Sequence, residues 1–365
     1  MLFICVFVLF SVPCRAETTE LFEKDIKVLE DSIDENTKNE MDHLGMSDVD
    51  DVITSGIDQA EIWQYLSELF TQYSSGPLSA LIILTSVLLL ASVAESYAFS
   101  LRYTETKDIM GVAVSLFITT VIISPLTEIV SSAIAVIKGA SSIMTIYLPI
   151  MVGIMAFSGH MISSGGYYAS VVTAAQFLSN IASSILAPLL NVFLSLSVSV
   201  SISSKVHLSG LIETVSKGFK YGITFAMSVF IAIIGLNGAL SGAADSVANR
   251  AAKFSLSSFI PLIGASVSEA YGAIQSSVGV MRSGIGVFVI IALFVSFAPL
   301  IMRTVLWSAV LRISKTVGEM LSVSSSGMIL NALIQFVSAL RVLLIAVMTV
   351  FIISSSIMIS LGGHT

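Results

Sequence analysis

Four ionisable residues, Asp245, Arg250, Lys253 and Glu269, stand in a stretch of chain that is otherwise small or apolar. They fall between Gly235 and Arg282, where the sequence reads GLNGALSGAADSVANRAAKF and continues SLSSFIPLIGASVSEAYGAIQSSVGVMR. Charged groups within a membrane are costly unless paired, and they mark ion or substrate pathways. Gly238-x-x-x-Gly242, flanked by Ala239 and Ala243, supplies a stripe of small residues along which helices approach closely. Pro261 and Gly264 interrupt the run Phe254–Val280, which is long enough to span yet broken at its centre. Such a break is tolerated where backbone is buried in protein or faces water, so a re-entrant hairpin is one reading and a full crossing the other. Two readings of the segment stand. It lines a passage or joins two protomers, or it is an interfacial loop whose Asp245 and Arg250 face headgroups.

Other chemistries find little footing. Both cysteines, Cys5 and Cys14, lie near the amino terminus, and His43, His160, His207 and His364 are far apart. Cys-based zinc sites and paired His ligands are therefore not expected, and neither is any other metal or cofactor. Asp48, Asp50 and Asp51 fail the spacing of a calcium loop, because Gly56 does not fall where the loop must turn. There is no Gly-x-Ser-x-Gly elbow and no phosphate-cradling glycine loop. The expectation is a protein that is not an enzyme, with no catalytic residue to name and no nucleic-acid partner.

The elements that must position these charges are helices in a membrane. Hydrophobic residues make up 55% of the chain and charged ones 11%, with a mean hydropathy of +0.94. Soluble domains carry about 25% charged residues. Residues 1–16 resemble a secretory signal, since the run at 2–12 is too short to span; an uncleaved anchor and a lipoprotein signal at Cys14 are the alternatives. Of 24 acidic residues, 16 lie between Glu17 and Glu68, alongside only three lysines. Residues 17–75 therefore read as a small acidic head of amphipathic helices, whose last helix lies against the membrane with Trp63 and Tyr73 near the headgroups. From residue 76 to 365 apolar runs at 77–97, 109–127, 141–159, 167–187, 189–203, 221–241, 284–302 and 342–361 predict an all-α polytopic domain of about seven or eight spans. Residues 205–241 and 327–361 echo each other, from LIETVS and MSVFI to LIQFVS and MTVFI, as duplicated units do.

Lysine and arginine in short loops set orientation. The segment Lys205–Lys220, with Lys217 inside it, and the cluster Arg303, Arg312 and Lys315 read as cytoplasmic partner-docking surfaces. The acidic head then lies outside.

The series Gly238-Ala239, Ala244-Asp245-Ser246-Val247, Arg250-x-Ala252-Lys253 and Phe259-Ile260-Pro261-x-Ile263-Gly264 resembles the stage III sporulation protein AE family of endospore-forming bacteria. The resemblance implies a multi-pass protein of the mother-cell membrane around the forespore, part of a secretion-like channel between the two cells. It also implies partners: a cytoplasmic ATPase and ring-forming proteins of the same operon, and stage II sporulation protein Q. Membrane lipid and further copies of the chain complete the expected contacts. An autonomous secondary transporter with its own intramembrane site is the alternative.

Overall fold

The computed structural model describes residues 23–55, 59–100, 104–157, 165–177, 213–233 and 264–360, with a few isolated helical positions between them. These residues are helical throughout apart from short turns, with no strand among them, as an all-α chain should be. The head contains α1 (Glu23–Asp31), α2 (Glu35–His43) and α3 (Val49–Ser55). Asp34 caps α2, accepting from the Thr37 N–H at 3.2 Å. Gly45 ends it at φ +65°, with Met46 N–H donating back to Met41 at 3.0 Å. That left-handed stop favours a residue without Cβ.

The body is built on four long helices: α4 (Gln59–Ser100), α5 (Thr104–Phe157), α8 (Gly264–Met320) and α9 (Ser324–Ser360). Two shorter helical stretches, α6 (165–177) and α7 (213–233), lie beside them. Within the long helices, stretches at Ala60–Tyr97, Gly111–Ala156, Met281–Met320 and Ser326–Ser360 are long and apolar enough to cross a membrane. α8 is buried nearly all round between Met281 and Leu300, whereas α5 and α9 each bury a stripe at helical spacing. On α5 it runs through Val114, Ile118, Ile122, Leu126, Ile129, Ala133, Ile137 and Ala140, and on α9 through Leu333, Phe336, Leu340, Leu343, Val347 and Val350. Many hydroxyls in the apolar runs are satisfied on their own helix, as where Thr119 and Ser354 donate to the carbonyl four residues back.

The register of the bundle follows from a few contacts. Tyr73 of α4 meets Arg303 of α8, Leu88 lies beside Gly318, and the Ser92 hydroxyl donates to the Leu321 carbonyl at 3.0 Å. The offset is nearly constant, so α4 and α8 run parallel. α5 runs antiparallel to α8, since Glu128 pairs with Arg303 while Tyr147 lies near Gly286. α8 and α9 form an antiparallel hairpin, fixed by Lys315 against Asn331 and Arg341 against Ser308. Close approach in this hairpin occurs at Gly286, where a Cβ would overlap Ile359, and at Gly318, where it would meet the Ser326 hydroxyl. The small-residue stripe expected at Gly238 and Gly242 lies outside the described residues.

One expectation is corrected here. The runs 109–127 and 141–159 are not separate helices but parts of the 54-residue α5. Its length is about 81 Å, and one bilayer core of about 30 Å cannot hold both runs if the helix is straight. α4 carries straight through residue 76 and Pro77 from head to body. α8 starts at Gly264 and continues for 57 residues, and the part of the expected hairpin before it lies outside the described residues. Pro77, Pro125, Pro149 and Pro299 all sit inside unbroken helices.

On the four long helices, the large exposed apolar side chains gather on the half that ends in the α8–α9 turn. They include Leu78, Ile82, Leu90, Val93 and Tyr97 on α4, Phe117 and Ile123 on α5, and Val305 and Ile313 on α8. Leu78 to Tyr97 rises about 29 Å, the thickness of a hydrocarbon core. α6 and α7 carry further exposed apolar side chains, among them Tyr168, Tyr221 and Phe225.

The α8–α9 turn places Ser322 at φ +58°, with the Val323 N–H donating to Gly318 at 3.0 Å. This is the same helix stop as at Gly45, made with a residue that has a Cβ. Ser322→Gly is expected to stabilise the protein by about 0.5–1 kcal/mol, read as a rise in Tm of the purified protein.

Candidate functional site

One cation stands at the seam where the head meets the body. Arg303 Nη2 lies 2.6 Å from Glu128 Oε1, and the same guanidinium stands over the Tyr73 ring at 5.7 Å from its centre. Beside it the Thr37 hydroxyl of α2 meets the Ser296 hydroxyl of α8 at 3.0 Å. Around these opens a cavity of about 580 Å³ whose mixed lining includes Thr37, Glu40, Ser296 and Arg303 together with Val295 and Leu300. Arg303 thus lies at the seam between head and body, in a different group from Arg312 and Lys315 on the same helix. Sequence spacing grouped it with its neighbours along the chain, whereas its partner Glu128 lies 175 residues away.

Within the head, Glu30 accepts from the Val49 N–H at 3.2 Å and ties α1 to α3. Burial raises its carboxyl above the usual 4.5; the Val49 bond opposes the rise, and Asp48, Asp50 and Asp31 add to it. A raised carboxyl stabilises the fold fully below 4.5 and loses that contribution as pH climbs through the raised value. Amide exchange in residues 23–55 is therefore expected to slow as pH falls toward 4.5, after correction for intrinsic rates. Glu30→Gln should flatten that dependence.

A second group forms where α7, α8 and α9 meet. Lys220 Nζ donates to Gln335 Oε1 at 3.2 Å and feels the charges of Arg341 and Arg312. Lys315 reaches Asn331 at 3.5 Å and Glu319 at 3.7 Å, while Lys217 pairs with Glu213 at 2.7 Å. Two acids thus answer the outer lysines; none in the described residues answers Lys220, Arg312 and Arg341. The structure therefore joins the two basic segments separated in the sequence, and adds Arg341. By the register of α4 on α8, Arg312 lies opposite Ile82 and Lys315 opposite Thr85. These cations sit at the depth of the Leu78–Tyr97 apolar face, not beyond its end. Arg312 is exposed there.

A third group lies toward the other end of α8. Arg282 is 2% exposed, near the buried Tyr147 phenol and the serines of α9. Arg282 and Arg341 were each legible as a lone cation in an apolar run, which is a signal in its own right. Gly264 opens α8, and Glu269 follows within its first turns. Gly238, Gly242, Asp245, Arg250, Lys253, Pro261 and Lys205 lie outside the described residues. Among the described residues no group of three His, Cys, Asp or Glu side chains could hold a metal.

Residues 47–362 match the family described as stage III sporulation protein AE. That is most of the chain, and it includes both partners of the Arg303–Glu128 pair and the whole cationic group. The chain belongs to the stage III sporulation protein AE family. It is similar to the stage III sporulation protein AE of Bacillus subtilis (strain 168), 22% identical over 161 residues. That similarity spans 43% of this chain and 40% of the relative, less than half of either. No solved structure matches the chain. Within the family-matched region fall α4, α5, α8 and α9, whereas α1 and α2 precede it. The body side of the head joint is therefore family sequence. The α2 side, with Thr37 and Glu40, is not.

Proposed function

We propose that this protein is the membrane core of a multi-protein, secretion-like channel linking mother cell and forespore during endospore formation. Family membership supplies the sporulation role. The observation that supports a channel part is the cationic face of Lys220, Arg312, Lys315 and Arg341, set at the depth of the apolar face of α4. Cations at that depth do not face lipid unpaired. Here they face water shared with neighbouring subunits, which makes them passage lining in place of cytoplasmic docking. The protein is non-enzymatic, and energy comes from a cytoplasmic ATPase partner. The ring-forming proteins of the operon and stage II sporulation protein Q meet the acidic head on the extracytoplasmic side, across a multi-pass membrane domain.

The test is a pair of charge variants, Arg312→Glu and Lys220→Glu, in sporulating cells. Both should reach the membrane at normal levels, retain their partners on co-purification, and lower spore yield at least 10-fold. Normal spore yield in both would overturn the lining role. Solute accumulation by the purified protein alone in liposomes would instead establish the autonomous transporter.

A further inference from the structure

Arg282 is the largest fully buried side chain of the fold, and its Nε and Nη1 have no partner among the described residues. The Tyr147 hydroxyl, 0% exposed at its residue, lies within the electrostatic reach of the guanidinium. It faces Ser355, yet neither hydroxyl meets the geometry of a hydrogen bond, and the neighbouring Ser356 hydroxyl is also unpaired. One residue before, the Ser354 carbonyl is occupied by the Tyr167 hydroxyl at 2.6 Å. The group thus offers N–H and O–H donors from α5, α8 and α9, and no described carboxylate answers them. Glu269 stands 13 positions earlier on the same helix, about 20 Å along its axis.

A guanidinium out of water is retained only when its charge is compensated and its N–H groups are bonded. We propose that Arg282, Tyr147 and Ser355 hold a small inorganic anion, chloride by abundance, between α5 and the α8–α9 hairpin. Donors alone select negative charge, and the hydroxyls of Tyr and Ser can turn toward it. Gly286, one turn beyond Arg282, lets α9 and the Tyr147 hydroxyl come close to α8. Bound there, the anion fastens three helices at the end of the bundle away from the cationic face. This inference stands apart from the channel reading.

The test uses the full-length protein purified in detergent, with chloride exchanged for gluconate at constant ionic strength. Chloride is expected to raise Tm by about 3 °C or more when well above its dissociation constant. Arg282→Met should abolish that dependence whether it raises or lowers Tm itself. Tyr147→Phe, which keeps the ring, should shift the half-saturating chloride about 5-fold upward. Equal Tm in the two salts would overturn the proposal. So would chloride dependence that survives in Arg282→Met. If the wild type is insensitive and Asp245→Asn lowers Tm as much as Arg282→Met does, an internal carboxylate occupies the place and the anion does not.

Discussion

Gly286→Val is expected to be the most damaging single substitution in the body of the protein. A Cβ at this position overlaps Cγ1 and Cδ1 of Ile359 and comes within 3.4 Å of the Tyr147 hydroxyl. Ile359 is β-branched and on a helix, so one rotamer dominates and the side chain has little room to retreat. The remaining way to make space is to move α9 off α8. That unseats neighbours such as Phe288 and Phe351, both 0% exposed. Overpacking of this kind costs about 1–3 kcal/mol, and more where backbone must shift. A cost of that size is a large share of the stability of any domain. Ile359→Ala in the same chain should return most of the loss, because it removes the atoms that collide. Thermal unfolding of the three purified variants decides the matter: equal Tm for Gly286→Val and wild type would refute close packing at this point.

Arg303→Glu is expected to loosen the head, through the cavity that Arg303 shares with Glu40. The pair with Glu128 is partly open to solvent, with Glu128 64% exposed, so its attraction is worth about 1 kcal/mol. Reversal replaces attraction with repulsion, removes the cation from the Tyr73 face, and brings a carboxylate toward Glu40 in the same cavity. Together the loss at the joint is about 2 kcal/mol. Limited proteolysis should then cut between residues 23 and 55 at least 10-fold faster, with the body intact. Glu128→Arg combined with Arg303→Glu restores opposite charges and should slow cleavage again. Unchanged proteolysis in the single variant would show that the apolar contacts of Ile26, Leu29 and Met41 hold the head unaided.

Much of this could be read from the chain. Helical class, the acidic head and the apolar stretches all follow from composition and 3.6-residue periodicity, which are local properties. Helix continuity did not follow. Pro77, Pro125, Pro149 and Pro299 each remove a backbone donor and argue locally for an end or a kink. Packing against neighbouring helices keeps all three helices whole, and no local rule reports that packing. The same limit explains Arg303. Charge rules grouped it with Arg312 and Lys315 nearby in sequence, while its partners Glu128 and Tyr73 are brought to it only by the antiparallel placement of α5 and the parallel placement of α4. Arg282 and Arg341 were visible as isolated cations, but what surrounds each became visible only once three helices met.

The unbroken α4 makes the head and the membrane segment one mechanical body. A helix of 42 residues is a stiff rod of about 63 Å, so a load applied near Gln59 travels along it instead of being absorbed in a linker. Its softest point is known from chemistry. Pro77 has no N–H for the carbonyl four residues earlier, which belongs to Tyr73, the ring beneath Arg303. The rod is therefore weakest beside the pin that fixes it to α8. A pull on the head would bend it there, and the Arg303 contact would set the force at which it yields.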